Sequence, residues 1–131
     1  MSLLLDTHAF LWFAAGDDHL SDTARKAVED ESGSVSLSVG SIWEIAIKSS
    51  IGKLVLAVPL GDAVRKGLDA CGAELQPITI GQLERVATLP FPSNGHRDPF
   101  DRLLAATALE LGYAIVSKDP SFDAYGVARV W

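Results

Sequence analysis

Asp6, Glu44, Asp101 and Asp119 are far apart along the chain, yet each stands just past a strand signal or within the opening of a helix. Carboxylates gathered in one place repel: at about 4 Å and an effective dielectric near 20, a pair costs roughly 4 kcal/mol. Such a cluster needs raised pKa values or a cation. The chain has no cysteine or histidine spacing of the zinc type and no EF-hand-type loop, so an all-oxygen cluster points to a hard divalent ion, Mg²⁺ or Mn²⁺. A fifth acid, Asp98, opens the stretch HRDPFDRLLAATALELG, where Asp98 as N-cap, Pro99 at the first helical position and Asp101 at the third make a well-formed helix start. The dipole of that helix favours both carboxylates.

The elements that would position these acids follow from the apolar pattern. Leu3-Leu4-Leu5 is a short continuous run stopped by Asp6, suited to a strand buried on both faces of a parallel sheet. Thr7 reads as the cap of a helix through Phe10, Leu11, Phe13 and Ala14 that ends near Gly16. Ser21 to about Glu31 reads as a second, more polar helix, and Val35 to Val39 alternates like a strand. Gly40-Ser41 then opens a third helix, in which Ser41-Ile42-Trp43-Glu44 is a literal capping box with Glu44 reaching back to the Ser41 amide.

Pro59 to Cys71 is helix-like and stopped by Gly72, Ala73 to Ile78 is a modest strand candidate, and Gln82 to Leu89 a further helix. After the loop cluster Pro90 to Gly95, a helix from Pro99 to Leu111 stops at Gly112, Tyr113 to Val116 is a strong strand, and Val127 to Val130 an edge strand. Strands alternating with helices imply an α/β domain with a mainly parallel sheet. Right-handed crossovers would put all four acids at the carboxyl edge of that sheet, where such folds place their ligands.

The whole chain, 1–131, is expected to fold as one domain. Eleven Lys plus Arg against seventeen Asp plus Glu leave a net charge of −6, the wrong sign for holding nucleic acid by bulk electrostatics, so any such contact must be local. The opening MSLLLDTH lacks the form of a secretory signal, and no stretch approaches a membrane span. With the single cysteine Cys71 excluding an internal disulfide, a soluble cytoplasmic protein is expected.

Four blocks of the sequence resemble the PIN-domain ribonucleases, and within them the VapC toxins of toxin–antitoxin pairs. LLLDTHAFLW resembles the family's opening strand and first acid, and SIWEIAIKSSIGKL its second-acid helix. HRDPFDRLLAATAL resembles the third-acid helix, and IVSKDPSFDAYGVARVW the fourth-acid strand and C-terminal end. The resemblance implies a three-layer α/β/α fold, a pocket holding Mg²⁺ or Mn²⁺, hydrolysis of RNA phosphodiesters by an activated water, a VapB-type antitoxin partner and a homodimer. Carried over by position, Asp6, Glu44, Asp101 and Asp119 are the catalytic, metal-binding quartet, with Asp6 and Asp101 as direct ligands. Asp98, Thr7 and Ser117 are supporting groups, Ser117 standing where the family often has threonine.

Phosphate contacts would come from Lys48, Arg97, Arg102 and Lys118, with Arg102 the first choice. His8 and His96 read as helix-start and loop residues beside the acids, and Trp12 and Trp43 as core or partner surface. Two other functions compete. An aspartyl-phosphate hydrolase would use Asp6 as nucleophile and Lys118 as clamp, but expects a further acid two places on, where this chain has His8. A receiver-like phosphoacceptor module leaves Glu44 and Asp101 without a task.

Overall fold

The structure, a computed structural model, describes residues 1–30 and 32–131. Its centre is a five-stranded sheet of β1 (Ser2–Leu5), β2 (Ser34–Ser38), β3 (Ala73–Gln76), β4 (Ala114–Val116) and β5 (Arg129–Val130). The strands lie in the order β3-β2-β1-β4-β5, and every neighbouring pair is parallel. The helices are α1 (Thr7–Ala15), α2 (Asp22–Glu29), α3 (Val39–Ser50), α4 (Leu60–Cys71), α5 (Ile80–Thr88) and α6 (Pro99–Leu111), and a 3-10 turn spans Pro120–Tyr125.

The leucine run of β1 explains the layering. Side chains alternate across a strand, so Leu3 and Leu5 enter one core with Phe10, Ala24 and Cys71, while Leu4 enters another with Leu104, Ala108 and Phe122. All three leucines are buried, each worth about 2 kcal/mol of apolar transfer. With β1 sealed on both faces, the sheet is the middle of an α/β/α stack.

Register then fixes where the acids emerge. Leu5 lies opposite Leu37 on one side and Val116 on the other, so three central strands end together. Asp6, the start of α3 and Ser117 therefore leave the sheet at the same edge. Two glycines let helices approach closely: a Cβ at Gly67 of α4 would run into the Phe10 ring of α1, and one at Gly40 of α3 would lie 2.5 Å from Leu103 Cδ2 of α6.

Several boundaries differ from expectation. Helix α3 starts at Val39, because Ser38, at the end of β2, caps it by accepting from the Gly40 amide at 3.0 Å. Glu44 is thereby moved into the second turn. The second helix runs Asp22–Glu29 behind the cap Ser21, and its expected last residue, Glu31, lies outside the described residues. The last strand is shortened to Arg129–Val130, the two residues that pair with Ile115 and Val116 of β4. Among the described residues no helix is long and apolar enough to cross a membrane.

Candidate metal centre

Asp6 is the N-cap of α1, accepting the Ala9 amide through Oδ1 at 2.7 Å, and it is only 8% exposed. This corrects the cap expected at Thr7. The Asp6 carboxylate meets the free amides of the first turn, and Thr7, displaced inward, donates its hydroxyl to Glu44 Oε1 at 2.6 Å. The other Glu44 oxygen meets Lys48 Nζ at 2.8 Å, one turn along α3. Glu44 is therefore held from both sides and does not close a capping box on Ser41, whose buried hydroxyl has no partner.

On α6 the opening is as the sequence indicates. Asp98 caps the helix by accepting the Asp101 amide at 2.9 Å, with Pro99 next. Asp101 lies one turn in and takes a bond from His96 Nε2 at 3.1 Å. Asp119 caps the 3-10 turn through the Ser121 amide at 2.9 Å, while its own amide donates to the buried Ser117 hydroxyl at 3.0 Å.

All four expected acids come together. A cleft of about 130 Å³ is lined by Asp6, Thr7, His8, Glu44, Lys48, Asp98, Asp101 and Asp119. Five carboxylates thus face Lys48 and one imidazole. Burial, above all, raises the pKa of Asp6, with Glu44 adding to it, while the Ser117 hydroxyl and the Ala9 amide act in opposition. Asp101 is pushed up to about 6, by burial first and then by the charge of Asp98, with Glu44 adding and the His96 hydrogen bond opposing. One atom each from His96, Asp101 and Asp119 lies within 4.8 Å of the others. Partly buried oxygen donors in excess over cations fit a hard divalent ion, which would replace the water their burial removes.

The expected basic residues divide. Lys48 and the exposed Lys118 lie at the acids, Lys118 lining an adjoining hollow with Asp6, His8, Trp12 and Asp119. Arg97 is exposed, its guanidinium 4.6 Å from the centre of the Phe91 ring. Arg102 is a correction. It is 5% exposed, donates to the carbonyls of Leu89 at 2.7 Å and Pro90 at 3.3 Å, and lies 3.9 Å over the Phe91 ring. Its charge satisfies the end of α5 and the following loop, and is not available to a phosphate.

His96, expected as a loop residue beside the acids, is a hydrogen-bond partner of Asp101, and Tyr125, which holds it, was not singled out. Their partners are distant in the chain, and the only available signal was the nearness of His96 to Asp98 and Asp101. Of the two tryptophans expected as core or partner surface, Trp12 is half-buried and Trp43 is 60% exposed with Phe100 edge-on to it; of the other apolar residues of α1, Phe10 is core and Leu11 and Phe13 are half-buried.

A three-layer parallel α/β sheet with a carboxylate cleft at its C-terminal edge is the arrangement of a PIN domain. Residues 3–128 match the PIN domain, and the chain belongs to that family. It is 30% identical over 118 residues to Ribonuclease VapC22 of Mycobacterium tuberculosis (strain ATCC 25618 / H37Rv), across 90% of this chain and 87% of that one, which makes it VapC-type. Two solved complexes share the fold at low identity. VapBC2 from Rickettsia felis, bound to a DNA fragment from their promoter, has a TM-score of 0.71 at 11% identity, covering 98% of this chain and 97% of that chain. VapBC-1 from nontypeable Haemophilus influenzae has a TM-score of 0.68 at 13% identity, covering 98% and 96%.

Proposed function

We propose that this protein is a metal-dependent endoribonuclease, the toxin of a VapBC-type toxin–antitoxin pair, with Asp6, Glu44, Asp101 and Asp119 as its catalytic acids. The observation that carries the reading is the convergence of these four carboxylates, from four separate segments, on one cleft. Similarity to a protein named as a ribonuclease supports the substrate class.

In this reading Asp6 and Asp101 hold Mg²⁺ or Mn²⁺ directly, and Glu44 and Asp119 act through bound water. Such an ion supplies a lowered water pKa and charge neutralisation at the phosphorus. The chain supplies placement. Thr7 fixes one Glu44 oxygen, Lys48 balances the other, and Ser117 sets the backbone that carries Asp119. Asp98 holds the start of α6, so that Asp101 keeps its height in the cleft. Lys118, Arg97 and Lys48 are the cations left for phosphate once Arg102 is assigned to carbonyls. Charge at three places on an acidic chain orients a strand more than it attracts one.

A VapB-type antitoxin is the proposed partner, a reading the VapBC neighbours support, and a homodimer is the proposed assembly, for which exposed apolar surface such as Trp43 is at hand. The test is incubation of the purified chain with structured RNAs and a generic phosphomonoester, with Mg²⁺, with Mn²⁺ and with chelator. RNA cleavage that needs the ion and is lost in Asp6→Asn and Asp101→Asn is the expected result. Cleavage surviving both substitutions would overturn the assignment, and turnover of the phosphomonoester would favour aspartyl-phosphate chemistry.

A further inference from the structure

His96 is held at both ring nitrogens. Nδ1 is 2.7 Å from the Tyr125 hydroxyl and Nε2 is 3.1 Å from Asp101 Oδ2. A carboxylate oxygen accepts, so Nε2 carries the proton and donates to Asp101; in the neutral imidazole Nδ1 then accepts from the tyrosine. The rings are packed edge to face, 5.6 Å between centres and 72° between planes. Tyr125 is buried in the core with Leu4, Leu104 and Ile115, so its hydroxyl is a fixed point. On the other side, the His96 backbone is set by a turn in which the Gly95 amide meets the Pro92 carbonyl and the His96 amide meets Asn94 Oδ1. Gly95 has φ +82°, in the left-handed region that glycine adopts freely.

These contacts join two pieces of chain that carry different acids. His96 stands five residues before Asp101, and Tyr125 is the last residue of the turn that Asp119 caps. The histidine side chain is 13% exposed and is not among the residues that line the cleft, while one of its nitrogens lies within 4.8 Å of an oxygen of Asp101 and of Asp119.

We propose that Tyr125 and His96 are a positioning pair that aims the Asp101 carboxylate at the metal and fixes its separation from Asp119. This rests on the metal-centre reading above. Against the repulsion of Asp98 and Glu44, the imidazole N–H is the donor that keeps Asp101 turned into the cleft, and the tyrosine keeps the imidazole in the tautomer that donates. Comparable outer partners of metal ligands are worth about 10–100-fold in affinity.

The test is Mn²⁺ binding to the purified chain, read from the loss of the free-ion electron paramagnetic resonance signal, beside thermal melts of the metal-free protein. Tyr125→Phe removes one hydroxyl and is expected to weaken Mn²⁺ about 10-fold while the melt stays cooperative. His96→Ala is expected to lose at least as much, and His96→Gln, which keeps an N–H for Asp101, to recover part of it. Tyr125→Phe added to His96→Ala should cost nothing further, because the tyrosine acts only through the histidine. Wild-type affinity in Tyr125→Phe, or additive losses in the double variant, would overturn the pair. So would ¹⁴N modulation in the spin-echo spectrum of bound Mn²⁺ that disappears in His96→Gln, since His96 would then be a ligand. Should His96→Ala fail to fold, Tyr125→Phe and His96→Gln decide alone. Absence of Mn²⁺ binding in the wild type, or binding that survives Asp6→Asn with Asp101→Asn, would overturn the metal centre itself; intact wild-type binding with an indifferent Tyr125→Phe overturns only the pair.

Discussion

Asp101 is ionised against the preference of its surroundings, which push its pKa up to about 6. Between the ordinary carboxylate value near 4 and that figure, the folded chain binds the proton more tightly than the unfolded chain does. The contribution of this group to stability is therefore complete below about pH 4 and lost as the pH rises through about 6. In metal-free protein Asp101→Asn should raise stability by about 2 kcal/mol at pH 7.5 and by roughly a third of that at pH 4.5, read from urea melts with chelator present. An equal effect at both pH values would contradict the assignment. Because the ion needs the carboxylate, Mn²⁺ affinity of the wild type should climb across the same interval; a flat titration from pH 5 to 7.5 would count against Asp101 as a ligand. Which residues could be read from the sequence follows from the range of their contacts. Asp98 caps its own helix three residues away, so local rules sufficed. His96 depends on Tyr125, 29 residues on, and Arg102 on carbonyls 12 and 13 residues back, which no local rule reaches.

Among the elements, α3 and α6 decide whether Glu44 and Asp101 face each other. Their contact is close at Gly40, where a Cβ would lie 2.5 Å from Leu103 Cδ2. Gly40→Ala should cost about 1–3 kcal/mol of stability by overpacking and weaken Mn²⁺ binding through the displaced Glu44. A variant as stable as the wild type and with its affinity would show that the helices need no such approach. The existence of β1 was accessible because Leu3-Leu4-Leu5 leaves little choice but a doubly covered parallel strand. The start of α3 was not. Ser38 and Ser41 each look like a cap, and the choice falls to β2, whose register with β1 and β3 runs through to Leu37 and Ser38 and leaves Ser38 at the turn. The same placement carried Glu44 away from the Ser41 amide and toward Thr7.

For the molecule as a whole, a net charge of −6 and a cleft of carboxylates set the terms on which RNA is met. In the proposed reading, attraction comes from Lys48, Arg97 and Lys118, so few counterions are released. For single-stranded RNA bound to the Asp101→Asn protein, three phosphate contacts correspond to a slope of log K against log salt of about −2. A slope steeper than about −5 would mean a basic surface other than the one described. The fold itself was legible from alternating strands and helices, while the assembly of the cleft needed the register that brings Asp6 beside Ser117 at one edge. Everything then turns on whether an ion belongs there. Anomalous diffraction from a crystal soaked in Mn²⁺ measures it most directly: the account predicts a peak bonded to Asp6 and Asp101, with Glu44 and Asp119 within one water of it. A cleft without a peak at saturating Mn²⁺, or a peak bound elsewhere on the molecule, would contradict it.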